Sequence, residues 1–452
     1  MSLEHAAAVE SNGNYPGKGI GQPVGVAVLG KGTVGTEVLR LIAVFSSNLE
    51  HRIGGPIEVR GVAVSSVDKH KNAPEAQGLY LTDNADELVE RDDVDVVVEL
   101  IGGIDYPREL VLKALRAGKS VVTANKALVA AHGSELADAA NEAGVDLYYE
   151  AAVAAAIPVV GMLRRSLAGD KVERIAGIVN GTTNFILDAM ASTGASYEDA
   201  LAEATRLGYA EADPTADVEG HDAASKAAIL ASMGFHTRVT FDDVYCEGIT
   251  KITAEDIAAA KRANQTIKLL AICERLYDDN GETRAVNARV HPTLVPNDHP
   301  LATVDKSYNA IFVEAEAAGR LMFYGNGAGG APTASAVLGD LVGAARNKIH
   351  GGRAPAENPY ADYPVVGFEE VITRYHINMT VNDRVGVLAD LARQFANSNV
   401  SLSAVRQEEA GDGAHLVVVT HQATERDLQD IVRRLSDHED VRSVNSVLRL
   451  QD

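Results

Sequence analysis

The sequence predicts an α/β protein: a doubly wound parallel sheet first, an α+β middle, and a small βαββαβ module at the end. Three observations carry this. Residues 24–29 (VGVAVL) form an apolar run that passes straight into Gly30-Lys31-Gly32-Thr33-Val34-Gly35. Short apolar runs then alternate with helical patterns as far as residue 150, as βαβ units do. Beyond a glycine- and proline-rich stretch at 351–366, strand and helix patterns return in the order βαββαβ, a ferredoxin-like layout.

The run at 24–29 has the unbroken apolar character of a strand buried on both faces. The glycines after it suit a tight turn, close approach to a pyrophosphate and helix–strand packing, with the helix N-terminus meeting the phosphates. The G-x-G-x-x-G motif is weak alone, but between a strand and a helix (Val34, Val38, Leu41 and Ile42 on one side) it predicts a Rossmann-type dinucleotide site. The next strand, 57–66, ends in Ser65-Ser66 where NAD-selective sites place an acid. Asp68 comes late, Lys69 and Lys71 follow, and Lys31 in the loop suits a 2′-phosphate, so NADP is expected, with NAD still open. Further strands are expected at 94–100 and 120–123, with a helix around 110–117. Ligands gather at the carboxyl ends of such strands. There Thr123, Asn125 and Lys126 stand, Lys126 either as a proton donor beside a nicotinamide or as a solvated helix-start lysine.

A strand is expected at 146–150, then the small-residue segment 151–158, where Glu150 and open carbonyls suit a hard monovalent cation. A strand at 175–178 runs into NGTTN at 180–184, which positions substrate or merely caps a helix. The helical run 197–207 stops at Gly208, and Asp213-Pro214 forces a turn. Glu211, Asp213, Asp217, Glu219 and Asp222 follow closely, and Asp222 and Lys226 share a helix face. Such a segment is either a pocket for a small zwitterion or an acidic surface loop with an ordinary ion pair. The glycine cluster 323–333 precedes an apolar helix at 334–342 and either presses on the cofactor or serves close packing.

At 452 residues two or three domains are expected. A net charge of −22 argues against nucleic acid and anionic membranes as partners. No apolar run reaches the ~18 residues of a membrane span. Residues 1–22 lack the basic start and apolar core of a secretory signal and read as a mobile tail. Cys246 and Cys273 sit in apolar contexts without metal-ligand spacing; they read as core residues of a cytoplasmic protein rather than as nucleophiles.

Taken in order, GKGTVG, TANK, EAAVAAAIP, NGTTN and GYAEADPTADVEGHDAASK resemble the homoserine dehydrogenase family over about residues 24–350. The resemblance implies NAD(P)H-dependent, reversible reduction of L-aspartate 4-semialdehyde to L-homoserine, in threonine, methionine and isoleucine biosynthesis. It puts the proton-handling lysines at Lys226 and Lys126 and the substrate or lysine-supporting acids at Glu211, Asp217 and Asp222. It puts a sodium-like cation at Glu150 with backbone groups of Val153, Ala155 and Ile157, brings Gly329 near the nicotinamide, and leaves His221 incidental. NDRVGVLADL at 382–391 resembles the ACT regulatory module, which implies L-threonine as effector, a purely oligomerising role being the alternative. The expected organisation is a tail at 1–22, an NADP-binding domain at 23–149 to which 325–350 return, a catalytic and dimerisation domain at 150–324, a linker at 351–370 and an ACT domain at 371–452, in a homodimer or homotetramer.

Overall fold

The computed structural model describes residues 17–355, 359–410 and 413–451, so most of the expected tail lies outside the described residues. The chain divides into two compact units, Met1–Lys171 with Ser232–Thr240 and Gly325–Tyr360, and Val172–Ala231 with Phe241–Tyr324 and Ala361–Asp452.

The first unit is built on a six-stranded, all-parallel sheet: β1 (Val24–Leu29), β2 (Ile57–Ala63), β3 (Leu81–Thr82), β4 (Val96–Glu99), β5 (Ser120–Thr123) and β6 (Leu147–Tyr148). Their order is β3-β2-β1-β4-β5-β6. The direction of winding reverses between β1 and β4, which opens a crevice at the carboxyl ends of these two strands. Val24, Val26 and Val28 of β1 pack with Val38 and Ile42 of the helix Thr33–Val44 and with Val337 and Leu341 of the helix Gly330–His350. Each such side chain contributes roughly 1.5–3 kcal/mol on burial. Three expected strands are shortened, β4 to Val96–Glu99 among them. β2 stops at Ala63, and β6 gives way to a 3-10 turn at Glu150–Ala152, where Glu150 N–H turns to the Asp340 carboxylate at 2.8 Å.

The second unit carries a mixed sheet. Its strands are β7 (Val172–Ile178), β8 (Tyr245–Cys246), β9 (Gln265–Tyr277), β10 (Thr283–Pro296), β11 (Tyr308–Ala315) and β12 (Gly319–Asn326). The later ones are β13 (Ile372–Thr373), β14 (Tyr375–Asn382), β15 (Leu402–Ala410), β16 (Gly413–Thr420), β17 (Ala423–Thr424) and β18 (Val441–Leu450). The main path runs β12-β11-β7-β9-β10-β18-β14-β16-β15, with β8 beside β10 and β13–β17 apart as a pair. Within it β18, β14, β16 and β15 are antiparallel neighbours. Helices Val387–Asn397 and Glu425–Ser436 share one core with them through Leu391, Phe395, Leu428, Ile431 and Leu435, the expected βαββαβ layout.

The terminal module is continuous with the sheet before it. β10 and β18 pair in parallel at Thr293↔Arg449 and Leu294↔Leu450, and Gln451 N–H donates to Leu294 O at 2.8 Å. Part of the expected linker is stitched to β10 as well. Val366 N–H donates to Val286 O, Val286 N–H donates to Pro364 O, and Asn287 Nδ2 donates to Val366 O. Asn382 and Asp383 do not cap the helix that follows them. Asn382 ends β14 and accepts from Arg442 Nε, while Gly386, at φ +97°, precedes the helix with no side-chain cap. Among the described residues no helix is long and apolar enough to cross a membrane.

Candidate active site

In the first unit the three motif glycines have three different surroundings. Gly30 has φ +103°, and a Cβ there would stand 2.6 Å from Leu100 O. A Cβ on Gly35 would stand 2.2 Å from Gly30 O, so this glycine sets the contact between the first helical turn and the loop. A Cβ on Gly32 would meet nothing within 4 Å. Gly32 borders open space at the start of the helix Thr33–Val44, whose first N–H groups have no side-chain cap, an arrangement ready for a phosphate. Val34 packs toward the core behind the loop. Lys31 is buried and its Nζ donates to Glu75 at 2.5 Å. That bond holds the Glu75 carboxyl below its usual range.

The carboxyl ends of β4 and β5 are tied together by Glu99, a fully buried residue that sequence reasoning passed over. Its carboxylate accepts from Ile101 and Gly102 N–H and, at 2.6 Å, from Thr123 Oγ1. Thr123 Oγ1 in turn accepts Asn125 N–H. Asn125 caps the helix Lys126–Ala143 through Leu128 N–H and gives its amide to Gly103 O at 2.7 Å. Lys126 is thereby held at the first position of that helix, exposed to solvent. On either side of Gly103, whose carbonyl Asn125 holds, Ile101 and Ile104 are exposed apolar side chains.

Glu150 is buried, and its two carboxylate oxygens accept Val160 N–H at 2.8 Å and Gly161 N–H at 2.7 Å. Burial raises the Glu150 pKa, and burial together with the Glu150 charge pushes Asp340 up to about 7. The segment after it contains two consecutive left-handed alanines, Ala154 at φ +55° and Ala155 at φ +42°. Such conformations cost about 1–3 kcal/mol each and cluster at ligand clamps. Val153, Ala155 and Ile157 are all buried, with Ile157 O accepting Val159 N–H at 2.8 Å. Among the described residues no group of three His, Cys, Asp or Glu side chains could hold a metal ion. The buried Glu150 carboxylate beside this strained turn offers oxygen donors of the kind a hard cation takes.

The helix Gly330–His350, also of the first unit, begins four residues before and ends eight residues after the expected 334–342, and Gly329 precedes it at φ +113°. A Cβ on Gly330 would come within 3.0 Å of Thr33 Cγ2, so this helix starts against the residue that opens the first helix.

In the second unit the charged network centres on Lys226, which is 7% exposed. Lys226 Nζ donates to Val179 O at 2.6 Å and to Asp222 Oδ2 at 2.7 Å. Asn180 joins them. Its Oδ1 caps the helix Gly181–Thr193 through Thr183 N–H, while its Nδ2 donates to Asp217 at 2.7 Å and Asp222 at 2.8 Å. Asn180 and Asp222 are as buried as the lysine, whereas Asp217, on the single turn Thr215–Val218, is half-buried. A solvated surface ion pair is therefore the wrong description of Asp222 and Lys226; in a buried pair, loss of one partner costs about 3–5 kcal/mol. Glu211 is exposed and makes no hydrogen bond or ion pair among the described residues. Asp213 accepts Thr215 N–H and serves the turn. His221 is exposed, edge-on to Phe241.

Asn184, from the same NGTTN, has another job: its amide donates to Val304, Lys306 and Tyr308 carbonyls and its Oδ1 accepts from the buried Lys268. Neither cysteine has the surroundings that favour a thiolate. Burial pushes the Cys246 thiol up to about 11 and the Cys273 thiol up to about 12.

A profile described as the homoserine dehydrogenase NAD-binding domain matches residues 30–150, one described as homoserine dehydrogenase matches 158–342, and an ACT domain profile matches 375–440. The chain is 68% identical over 438 residues to the homoserine dehydrogenase of Corynebacterium glutamicum, covering 96% of this chain and 97% of that one. Its structure is similar to that of a homoserine dehydrogenase from Thiobacillus denitrificans, with a TM-score of 0.90, 40% identity, and coverage of 96% and 99%. It is also similar to a hyperthermophilic archaeal homoserine dehydrogenase in complex with NADPH, with a TM-score of 0.59, 29% identity, and coverage of 72% and 98%.

Proposed function

The chain belongs to the homoserine dehydrogenase family of oxidoreductases, and from that premise we propose that it reversibly reduces L-aspartate 4-semialdehyde to L-homoserine with NADPH, on the route to threonine, methionine and isoleucine. The observation that carries the site is the buried network of Lys226, Asp222, Asn180 and Asp217. The nicotinamide, when bound, supplies the hydride that adds to the aldehyde carbon. The carbonyl oxygen gains negative charge as this happens and needs one proton. The Lys226 ammonium, aimed by Val179 O and Asp222, stabilises that charge and donates the proton, a service worth roughly 10²–10⁴-fold. In the reverse direction the neutral amine takes the hydroxyl proton as the carbon gives up its hydride. Asn180 orients Asp217 and Asp222, Glu211 is assigned to the substrate ammonium, and Lys126 is the second candidate for the proton.

NADPH consumption with aspartate semialdehyde tests this. Lys226→Ala is expected to lose at least ~10²-fold in kcat while NADPH still binds. An unimpaired variant would overturn the role of Lys226, and the same assay on Lys126→Ala decides between the two lysines.

NADP is favoured over NAD by the absence of an acid at Ser65-Ser66, by exposed Lys69 and Lys71, and by Lys31, whose partner Glu75 a 2′-phosphate would have to displace. The phosphates fall to Gly30, Gly32, Thr33, Val34 and Gly35, and the nicotinamide end to Thr123, Asn125, Lys126 and Gly329. A cation such as Na⁺ is assigned to Glu150, Val153, Ala155 and Ile157. For the effector, a cavity of about 470 Å³ lined by Asn382, Asp383, Gly386, Leu388 and Gln407 supports an amino acid, L-threonine by pathway logic. Leu388→Glu is expected to weaken threonine inhibition at least tenfold and leave turnover unchanged. Full inhibition in that variant would move the effector elsewhere.

A further inference from the structure

The terminal sheet has a second face, turned away from its two helices. Tyr375, Ile377 and Met379 of β14 and Leu416 and Val418 of β16 belong to the core beneath the helices. By strand alternation Arg374, His376 and Asn378, and across from them His415, Val417 and Val419, stand on the other side. Opposite that face lies the helix Ala254–Arg262, and between the two is a cavity of about 540 Å³, larger than the effector cavity.

In a chain of net charge −22 this larger cavity holds three arginines, Arg262, Arg374 and Arg406, and one acid, Glu255. Arg262 and Arg406 reach it from opposite walls, one on the helix and one on β15, and both are exposed. His376 is 6% exposed and Asn378 4%, yet His376 Nδ1 and Asn378 Oδ1 have no hydrogen-bond partner, and neither has His415 Nδ1. Buried polar groups are normally satisfied, and three exceptions lining one cavity call for a ligand. At neighbouring positions of the same face the sequence carries valine, so the fold did not require polar residues there.

We propose that this cavity binds a small organic anion, its carboxylate or phosphate group on the arginines and its body against Val405, Val417 and Val419. The site is separate from the effector cavity, which is lined by the alternate residues Gln407 and Leu416 of the same strands and lies on the helix-bearing side, around Gly386. Leu450, one of the two residues through which β18 pairs with β10, also lines the proposed site, so an occupant touches the seam between the terminal module and the strands before it.

Calorimetric titration of the full chain with citrate and, separately, with inorganic pyrophosphate tests the proposal and distinguishes carboxylate from phosphate. One probe is expected to bind with a submillimolar Kd. Arg406→Glu and Arg262→Glu, on different elements and both exposed, should each weaken it at least tenfold while leaving NADPH turnover unchanged. Sedimentation of the same samples should show no change of oligomeric state. Absence of binding by both probes, binding indifferent to both substitutions, or a change of oligomeric state in either variant overturns the proposal; the last would make this face a contact between copies of the chain.

Discussion

Asn180 shows what one side chain can be asked to do. Its carbonyl oxygen caps a helix, and its amide nitrogen holds two carboxylates that would otherwise repel each other. Replacing it with aspartate keeps the cap, removes the donor and adds a third negative charge. Asn180→Asp is therefore expected to lower kcat by one to two orders of magnitude (about 1.4 kcal/mol per tenfold) with little change in thermal stability. Steady-state kinetics with a melting curve separates the two effects, and a normal kcat would show that the carboxylates need no such partner. The thiols give a second check. A raised thiol pKa leaves almost no thiolate at neutral pH, so iodoacetamide at pH 7 is expected to spare activity, with Cys246 labelling rising only toward pH 11. The cap in NGTTN was legible in the sequence, as were Lys226 and its acids. The second task of Asn180 was not, because its carboxylate partners lie 37 and 42 residues further on and only the fold brings them to it. Glu99 escaped for a similar reason: an acid ending an apolar strand carries no motif, and its partners are loop amides and Thr123.

At the scale of elements, the glycine loop makes a prediction with two opposite outcomes. Gly35→Ala places a carbon 2.2 Å from a backbone oxygen and is expected to destabilise the protein by about 1–3 kcal/mol. Gly32→Ala meets open space, so it should melt normally but raise the KM for NADPH at least tenfold. Equal melting losses in both would mean that Gly32 serves packing rather than a phosphate. The parallel strands of the first unit were readable because each is a short apolar run between glycines and helices. The two longest strands, β9 and β10, were not. Lys268, Arg275, Asn287, Arg289, His291 and Thr293 are buried within them, so apolar alternation is lost, and Pro292 argues against a central strand. The proline is tolerated because on that side of β10 it falls between two short pairings, with β8 at Arg289–Val290 and with β18 at Thr293–Leu294.

Across the second unit as a whole, Arg449 is where the terminal module and the strands before it are fastened. It is 6% exposed, donates to Glu425 within the terminal module and to Glu247 beside β8, and lies over the rings of Phe368, Tyr245 and Tyr375. Glu425 is wholly buried and also accepts from Thr373 and Tyr375. Arg449→Met would strand that carboxylate without its cation and is expected to cost about 3–5 kcal/mol in urea unfolding. A loss below about 1 kcal/mol would show that the ring stack, not the ion pair, holds the junction. The βαββαβ order of the module was legible from alternation and helix periodicity. Its attachment was not, since two residues of parallel pairing leave no pattern in either strand.

That attachment bears on how the protein can be re-engineered. A terminal βαββαβ module behind a proline-rich stretch looks like a cassette to be cut off or exchanged, with residue 353 as the obvious junction. The hydrogen bonds of Val286, Asn287 and Leu294 run the other way. A truncation there would bare the backbone edge of β10 and unstack Phe368 from Tyr245, inviting aggregation before any regulatory question could be asked. A donor module spliced into this chain would have to bring the segment 364–368 and the end of β18 with it, so the natural unit of exchange is a seam and not a boundary.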